Sequence, residues 1–517
     1  AAIAKADGAS APSAPALVSK TTSSITLTEV PGQEYSIDNG VTWQDSATFS
    51  GLTPNTSYTL VTRVKETATQ NASAASAGGM FKTDSNPPSQ PATPSTPETT
   101  NTGVDVLVNG KVENAGTATT TKVNDQTVTT ITVDQKKLED KLAAEGNNSV
   151  VTIPVNAKSE VIVSELNGQM VRNMESKQAV LEIKTDKASY TLPAEQINIS
   201  AISNQIGELV ALQDIKVQIE IAEPTADTVK VVKNAAERGS FQLVVPPVNF
   251  TVRATYGNTT VEVANFNTYI ERTIAIPEGV DPSKITTGVV VEADGTVRHV
   301  PTKIVLIDGK YYAVINSLTN STYSVVWHPV EFKDVANHWS KLAVNDMGSR
   351  MVIEGIGNGM FSPDTNITRA EFAAIIVRGL GLKLESGASS FPDVKLTDWY
   401  SSAISTAYAY HLISGFEDGT FRPNDKITRE QAMVIIAKAM SITTLKDSLV
   451  TEAPNDTLKA FADAADASDW AKDSIVASVE AGIVSGRNGA ELAPKAFITR
   501  AEVATIIQRL LVKSSLI

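Results

Sequence analysis

The chain of 517 residues contains no cysteine. A disulfide framework and a thiolate metal site are therefore excluded, and the fold rests on its packed cores. Histidine is nearly as scarce: His299, His328, His338 and His411 are the only four, and they lack metal-ligand spacing. No metal or cofactor is expected. Gly-x-Ser-x-Gly, Walker and His-Glu-x-x-His patterns are missing as well, which removes the usual signatures of most familiar enzyme classes. No uninterrupted apolar run approaches the ~18–20 residues needed to cross a bilayer, so membrane insertion is not expected. Basic residues are in deficit, 44 Lys and Arg against 57 Asp and Glu, for a formal net charge of −13. Such a field repels nucleic acid and anionic lipid, and any anionic partner must be held by local cations. The opening Ala1-Ala2-Ile3-Ala4-Lys5 has neither an initiator Met nor a leader pattern. It reads as a mature or excised C-terminal piece.

A chain of this length divides into three or four domains of ordinary size. Residues 1–83 read as short strands. Asn39-Gly40 lies between alternating segments as a hairpin cue, because both turn residues tolerate positive φ. Gly51-Leu52-Thr53-Pro54-Asn55-Thr56-Ser57-Tyr58 resembles the Leu-x-Pro…Tyr corner of fibronectin type III-like sandwiches. That resemblance implies a tyrosine hydroxyl tied to nearby backbone. Residues 84–102 hold Pro87, Pro88, Pro91, Pro94 and Pro97 among Ser, Thr and Gln, and read as an extended linker.

Residues 103–330 alternate with a β period. Turn signals stand at Asn109-Gly110, Asp294-Gly295 and Asp308-Gly309. Only 134–144 and 197–207 have helical spacing, and the length suggests two β-rich modules of unknown function. The expected fold class is therefore multidomain: all-β sandwiches of immunoglobulin or fibronectin type III-like kind, followed by an all-α segment.

That last segment repeats itself. Trp339, Trp399 and Trp470 are followed at constant spacing by Gly355, Gly415 and Gly486, then Pro363, Pro423 and Pro494, then Arg369, Arg429 and Arg500. Each Trp is preceded by Phe-x-Asp, which contributes Asp334, Asp393 and Asp463. One supersecondary element is thus present three times, at 331–385, 386–445 and 446–517. Thr368-Arg369-Ala370-Glu371, Thr428-Arg429-Glu430-Gln431 and Thr499-Arg500-Ala501-Glu502 are capping boxes that open helices. An Arg at the first helical position opposes the helix dipole three times over. Two readings fit it. Free amides at the helix start and a guanidinium can hold a carboxylate or phosphate beside a tryptophan platform. Alternatively, Arg pairs with Asp334, Asp393 or Asp463 across the repeats, and Trp is core.

Phe-x-Asp-Val…Trp, Gly415-Phe416-Glu417-Asp418-Gly419-Thr420-Phe421-Arg422-Pro423 and Ile-Thr-Arg-Ala-Glu resemble S-layer-homology motifs. The resemblance implies a pseudo-threefold prism whose inter-repeat grooves bind pyruvylated secondary cell-wall polysaccharide. It also implies an extracellular protein held on a Gram-positive cell wall or in its S-layer. The implied ligands are Asp334, Trp339, Gly355 and Arg369; Asp393, Trp399, Gly415 and Arg429; and Asp463, Trp470, Gly486 and Arg500. The third repeat lacks the Asp-Gly-Thr-Phe turn at Gly486-Arg487-Asn488-Gly489-Ala490-Glu491-Leu492, which puts its groove in doubt. The chain is expected to be a non-enzymatic anchor. The alternatives are a lattice subunit that self-associates in a surface layer, or the anchor portion of a larger polysaccharide-degrading enzyme. Within 103–330 the only tryptophan is Trp327, so a hydrolase site there would lack the aromatic platforms that usually flank its two carboxylates.

Overall fold

A computed structural model describes residues 5–84, 102–207, 209–387, 389–449 and 457–517. The chain separates into two compact units, Ala1–Pro97 and Glu98–Ile517. Most of the expected linker, 85–101, lies outside the described residues.

In the first unit, two three-stranded sheets cover a small core. One sheet is Leu17–Lys20, Ser24–Leu27 and Thr48–Ser50; the other is Gln33–Ser36, Ser57–Val64 and Gly79–Lys82. Alternation brings Ile25, Leu27, Tyr35, Phe49 and Leu60 inward. Asn39 and Gly40 both have positive φ, 59° and 88°. Their loop is closed by a Tyr35–Gln44 bridge, and the Asp38 carboxylate accepts from the Thr42 amide. The Tyr58 hydroxyl accepts from the Thr53 amide at 2.9 Å.

The second unit overturns the expected fold class upstream of the repeats. Residues 102–327 do not form sandwiches. They form one 17-stranded sheet, curled until it nearly closes. The hydrogen-bonded path runs from Thr302–Ile307 through Lys310–Thr319, Asn265–Ala275 and Ala188–Pro193. It continues around the sheet to Thr322–Trp327, Thr287–Val291 and Val297–Val300. Only Pro301 separates its last strand from its first. Two pairings are parallel, Val150–Pro154 with Val180–Lys184 and Val161–Asn167 with Gln126–Val133. Parallel neighbours need crossovers, and the helices Gln135–Glu145 and Gly168–Ser176 lie in them. Ile199–Ile206 and Ala226–Gly239 are helical too, so this region is not all-β.

The interior of the sheet is mainly apolar, but it encloses one arginine. Arg272 is fully buried without a carboxylate partner among the described residues. Its guanidinium donates to the Thr319 carbonyl at 2.7 Å and to Asn320 Oδ1 at 2.8 Å, and lies 4.9 Å and 4.8 Å from the rings of Tyr190 and Tyr323. Carbonyl dipoles and ring faces replace the water it has lost.

The sheet docks onto the first repeat. The Tyr269 hydroxyl donates to the Leu380 carbonyl at 2.7 Å, and Arg350 Nη1 donates to the Thr302 carbonyl at 3.1 Å. Arg298 donates to the Gly381 carbonyl. Gly381 has φ +62°, and a Cβ there would lie 2.9 Å from the His299 carbonyl oxygen. Both the conformation and the close approach require glycine.

In residues 331–517, each repeat is a helix, a turn-rich loop and a capped second helix. The second helices are Arg369–Gly379, Arg429–Ile442 and Arg500–Lys513, all opened by complete capping boxes. Their equivalent Ile376, Ile436 and Ile507 are fully buried. Each such side chain contributes roughly 1.5–3 kcal/mol on burial. No single repeat could bury them. The strand-like segments before the helices close a ring: the Ile367 amide donates to the Ile498 carbonyl at 3.1 Å, Ile427 to Ile367 at 3.2 Å, and Ile498 to Ile427 at 3.1 Å.

Candidate functional site

The helix starts do not offer the free amides expected of them. The Arg369 amide donates to the Asp425 carbonyl and Ala370 to Pro423, both at 2.9 Å, while the Glu371 amide donates to Thr368 Oγ1 at 3.2 Å. The second and third helices repeat the pattern. Arg429 and Glu430 donate to Ala496 and Pro494, and Arg500 and Ala501 donate to Thr365 and Pro363. Each helix is therefore capped by the loop of the next repeat around the ring. An anion cannot use these amides, so any anion site must be built from side chains.

The arginines and aspartates are linked through a shared residue rather than directly. The Asp393 carboxylate accepts from the Phe421 and Arg422 amides at 2.9 and 2.7 Å. The Phe421 carbonyl in turn accepts from Arg369 Nε at 2.8 Å. Asp463 holds the Leu492 and Ala493 amides at 2.7 Å each, and the Leu492 carbonyl accepts from Arg429 Nε at 2.9 Å. Asp334 holds the Phe361 and Ser362 amides, and the Phe361 carbonyl accepts from Arg500 Nε at 2.9 Å. Aspartate thus fixes the loop inside its own repeat, and arginine ties the preceding repeat to that loop. Burial pushes the Asp334 and Asp463 carboxyls up, but the amides they accept from outweigh it and hold both below their ordinary value.

The glycines are steric. A Cβ at Gly355, Gly415 or Gly486 would lie 2.7, 2.6 or 2.8 Å from the Phe332, Phe391 or Phe461 ring of the Phe-x-Asp motif. These glycines let the loop lie flat on that ring.

Trp339, Trp399 and Trp470 are not core: they are 64%, 63% and 60% exposed. Two of them line a groove with the arginine of another repeat. Trp470 lines a cavity of about 650 Å³ with Arg369 and Gly415, and Trp339 lines one of about 790 Å³ with Arg429 and Gly486. Both of these grooves take their arginine from one repeat, their glycine from the next and their tryptophan from the third. Spacing along the sequence groups these residues repeat by repeat and could not show this permutation.

The three arginines differ in what they have left to donate. Arg429 donates through all three nitrogens, to Leu492, to Glu502 Oε1 at 2.8 Å and to the Ser485 carbonyl at 3.4 Å. Arg500 does likewise, to Phe361, to Glu371 at 3.4 Å and to the Glu354 carbonyl at 2.7 Å. Arg369, itself 9% exposed, hydrogen-bonds among the described residues only through Nε, and its guanidinium lies 4.6 Å from the rings of both Phe416 and Phe421. Burial lowers it to about 10, which leaves it protonated at neutral pH. In the third repeat, Arg487 stands where the second has Phe416 and binds Glu502 at 2.8 Å. The missing turn motif is thus replaced by an ion pair that occupies the groove wall.

The family model described as S-layer homology domain matches residues 331–373, 390–433 and 460–504. The chain carries three S-layer homology domains. An amylopullulanase of Thermoanaerobacterium thermosulfurigenes is 28% identical over 391 residues, covering 75% of this chain and 19% of that protein. Exoglucanase XynX of Acetivibrio thermocellus is 38% identical over 200 residues, 38% of this chain and 18% of the relative. The surface-layer 125 kDa protein of Lysinibacillus sphaericus is 34% identical over 174 residues, 33% of this chain and 14% of the relative. The chain spans less than one fifth of the length of each. S-layer homology domains anchor proteins to the cell wall through its polysaccharide, and this chain is extracellular and wall-associated. Among the described residues no helix is long and apolar enough to cross a membrane. The family match lies wholly within 331–504, so the fibronectin type III-like resemblance of the first unit rests on its sequence motif alone.

Proposed function

We propose that the three S-layer homology domains hold this protein on the wall by binding a pyruvylated secondary cell-wall polysaccharide in the grooves between repeats. The observation that carries this reading is the buried, incompletely bonded Arg369 guanidinium facing a cavity with the exposed Trp470. A guanidinium with free donors suits a carboxylate, such as that of a pyruvate ketal. An exposed indole gives the C–H face of a sugar a surface to pack on. Arg369, Arg429 and Arg500 and the tryptophans Trp339, Trp399 and Trp470 supply the groove walls. Asp334, Asp393, Asp463, Gly355, Gly415 and Gly486 set their shape. The site is non-catalytic in this reading.

The full chain should sediment with purified Gram-positive walls, and should fail to do so once the secondary polysaccharide is stripped or its ketals are hydrolysed by mild acid. Equal binding to stripped walls would reject the reading. The matches to glycosidases favour a second role for the piece as a whole, as the anchor end of a longer polysaccharide-degrading protein. The amylopullulanase match covers more residues than the repeats contain, so the similarity extends into the sequence upstream of them. Sheet-like arrays of the purified chain in solution would point instead to a lattice subunit.

A further inference from the structure

The third residue of each second helix closes the capping box and also faces the arginine of the preceding repeat. In two grooves it is a glutamate, Glu502 against Arg429 and Glu371 against Arg500. In the groove of Arg369 it is Gln431, whose Oε1 completes the capping box with the Thr428 amide at 3.2 Å. A neutral amide caps the helix as a carboxylate does but cannot neutralise the guanidinium. Correspondingly, Arg369 makes no ion pair among the described residues, and its two terminal nitrogens have no protein acceptor within hydrogen-bond reach there. The second cation of this groove, Lys438, likewise makes no ion pair among the described residues; of its counterparts, Arg378 pairs with Glu354 at 3.2 Å and Arg509 donates to the Ile483 carbonyl and Ser485 Oγ, both at 3.3 Å. Arg422, also in this groove, is held by Asp418 at 2.8 Å and stacks 4.1 Å from the Phe416 ring.

We infer that Gln431 selects the Arg369–Trp470 groove as the one high-affinity carboxylate site of the anchor, and that Glu502 and Glu371 act as built-in competitors that close the other two to anions. This rests on the reading of the repeats as binders of a pyruvylated polysaccharide. The ligand is a carboxylate borne on a sugar, bound by Arg369 Nη1 and Nη2 with Lys438 nearby and the sugar face against Trp470. The other grooves take neutral sugar units of the same chain.

The test is calorimetric titration of the full chain with a methyl hexoside carrying a pyruvate ketal, with its neutral methyl ester as control. The expected result is one site for the acid and at least tenfold weaker binding of the ester. Gln431→Glu should weaken the acid by about tenfold or more, the loss of a charge-assisted hydrogen bond. It should not lower the thermal midpoint, because the new carboxylate repeats the Arg429–Glu502 pairing. Glu502→Gln, which keeps a residue able to close the capping box, should add a second acid site at Arg429. Unchanged acid affinity in Gln431→Glu, or no second site in folded Glu502→Gln, overturns selection by this position while leaving wall binding standing. Failure of the wild-type chain to bind the ketal at all, although it still binds whole walls, overturns the pyruvylation reading and this inference together.

Discussion

Replacing Arg429 by alanine will lower the stability of the anchor by about 2–4 kcal/mol, because the Leu492 and Ser485 carbonyls lose a charged donor while Glu502 keeps only its pairing with Arg487. Arg429 is 3% exposed, and its side chain carries the Leu492 carbonyl, the Ser485 carbonyl and the Glu502 carboxylate. Its place at the first position of a helix argues the other way, since a cation there opposes the dipole. That effect is a few tenths to about 1 kcal/mol. The loss of the charged donor is larger, so the brace wins. Arg429→Lys should recover only part, because an ammonium keeps the charge but lacks the fork that reaches three acceptors at once. Urea denaturation of the full chain followed by helical circular dichroism measures the shift, and a midpoint unchanged in Arg429→Ala would refute the brace. Arg369→Ala should cost less: it forfeits one carbonyl and two ring contacts, with no ion pair among the described residues.

The contrast between these two arginines shows what the sequence disclosed and what it did not. Constant spacing revealed the repeat, and Thr-Arg-x-Glu/Gln marked three helix starts that the structure places at Arg369, Arg429 and Arg500. Local chemistry is legible because a capping box acts within four residues. The permutation of the grooves was not legible, because it depends on which repeat packs beside which. The same limit explains the curled sheet. Asn109-Gly110 and Asp308-Gly309 turn hairpins with both residues at positive φ, as local turn chemistry requires. The helix expected over 134–144 forms as Gln135–Glu145, capped by Asp134. Ala226–Gly239 was missed because Thr228-Val229-Lys230-Val231-Val232 alternates like a strand, while its buried face of Val232, Ala235 and Ala236 has helical spacing. Parallel pairing across 30 residues, as between Val150 and Val180, leaves no local signature at all. The expectation of sandwiches failed there.

Asp463 decides whether the Phe-x-Asp motif serves the ligand or the fold. Its two carboxylate oxygens accept the Leu492 and Ala493 amides at 2.7 Å each, and Leu492 is the residue whose carbonyl holds Arg429. Asp463→Ala should therefore remove two charge-assisted bonds and slacken the arginine brace as well. Hydrogen bonds to charged groups are worth about 1.5–3 kcal/mol each when buried, and these are partly open to solvent, so a loss of about 2–3 kcal/mol is expected. Asp463→Asn keeps one acceptor and should fall between. The effect carries a pH signature. Burial raises the Asp463 carboxyl, but the amides and Arg429 outweigh it and hold its folded pKa below the unfolded value of about 3.9. A carboxylate shifted in that direction contributes fully above the unfolded pKa and loses its contribution as pH falls through the folded one. The stability gap between wild type and Asp463→Ala should then be widest at neutral pH and close progressively below about pH 4. Urea midpoints measured across that range check it. A gap that stays constant into strong acid would mean the side chain acts by packing alone. If Asp463→Ala instead left stability unchanged and lost affinity for wall polysaccharide in the folded state, the aspartate would be a ligand, and the relay from Asp463 through Leu492 to Arg429 would not be what holds the second and third repeats together.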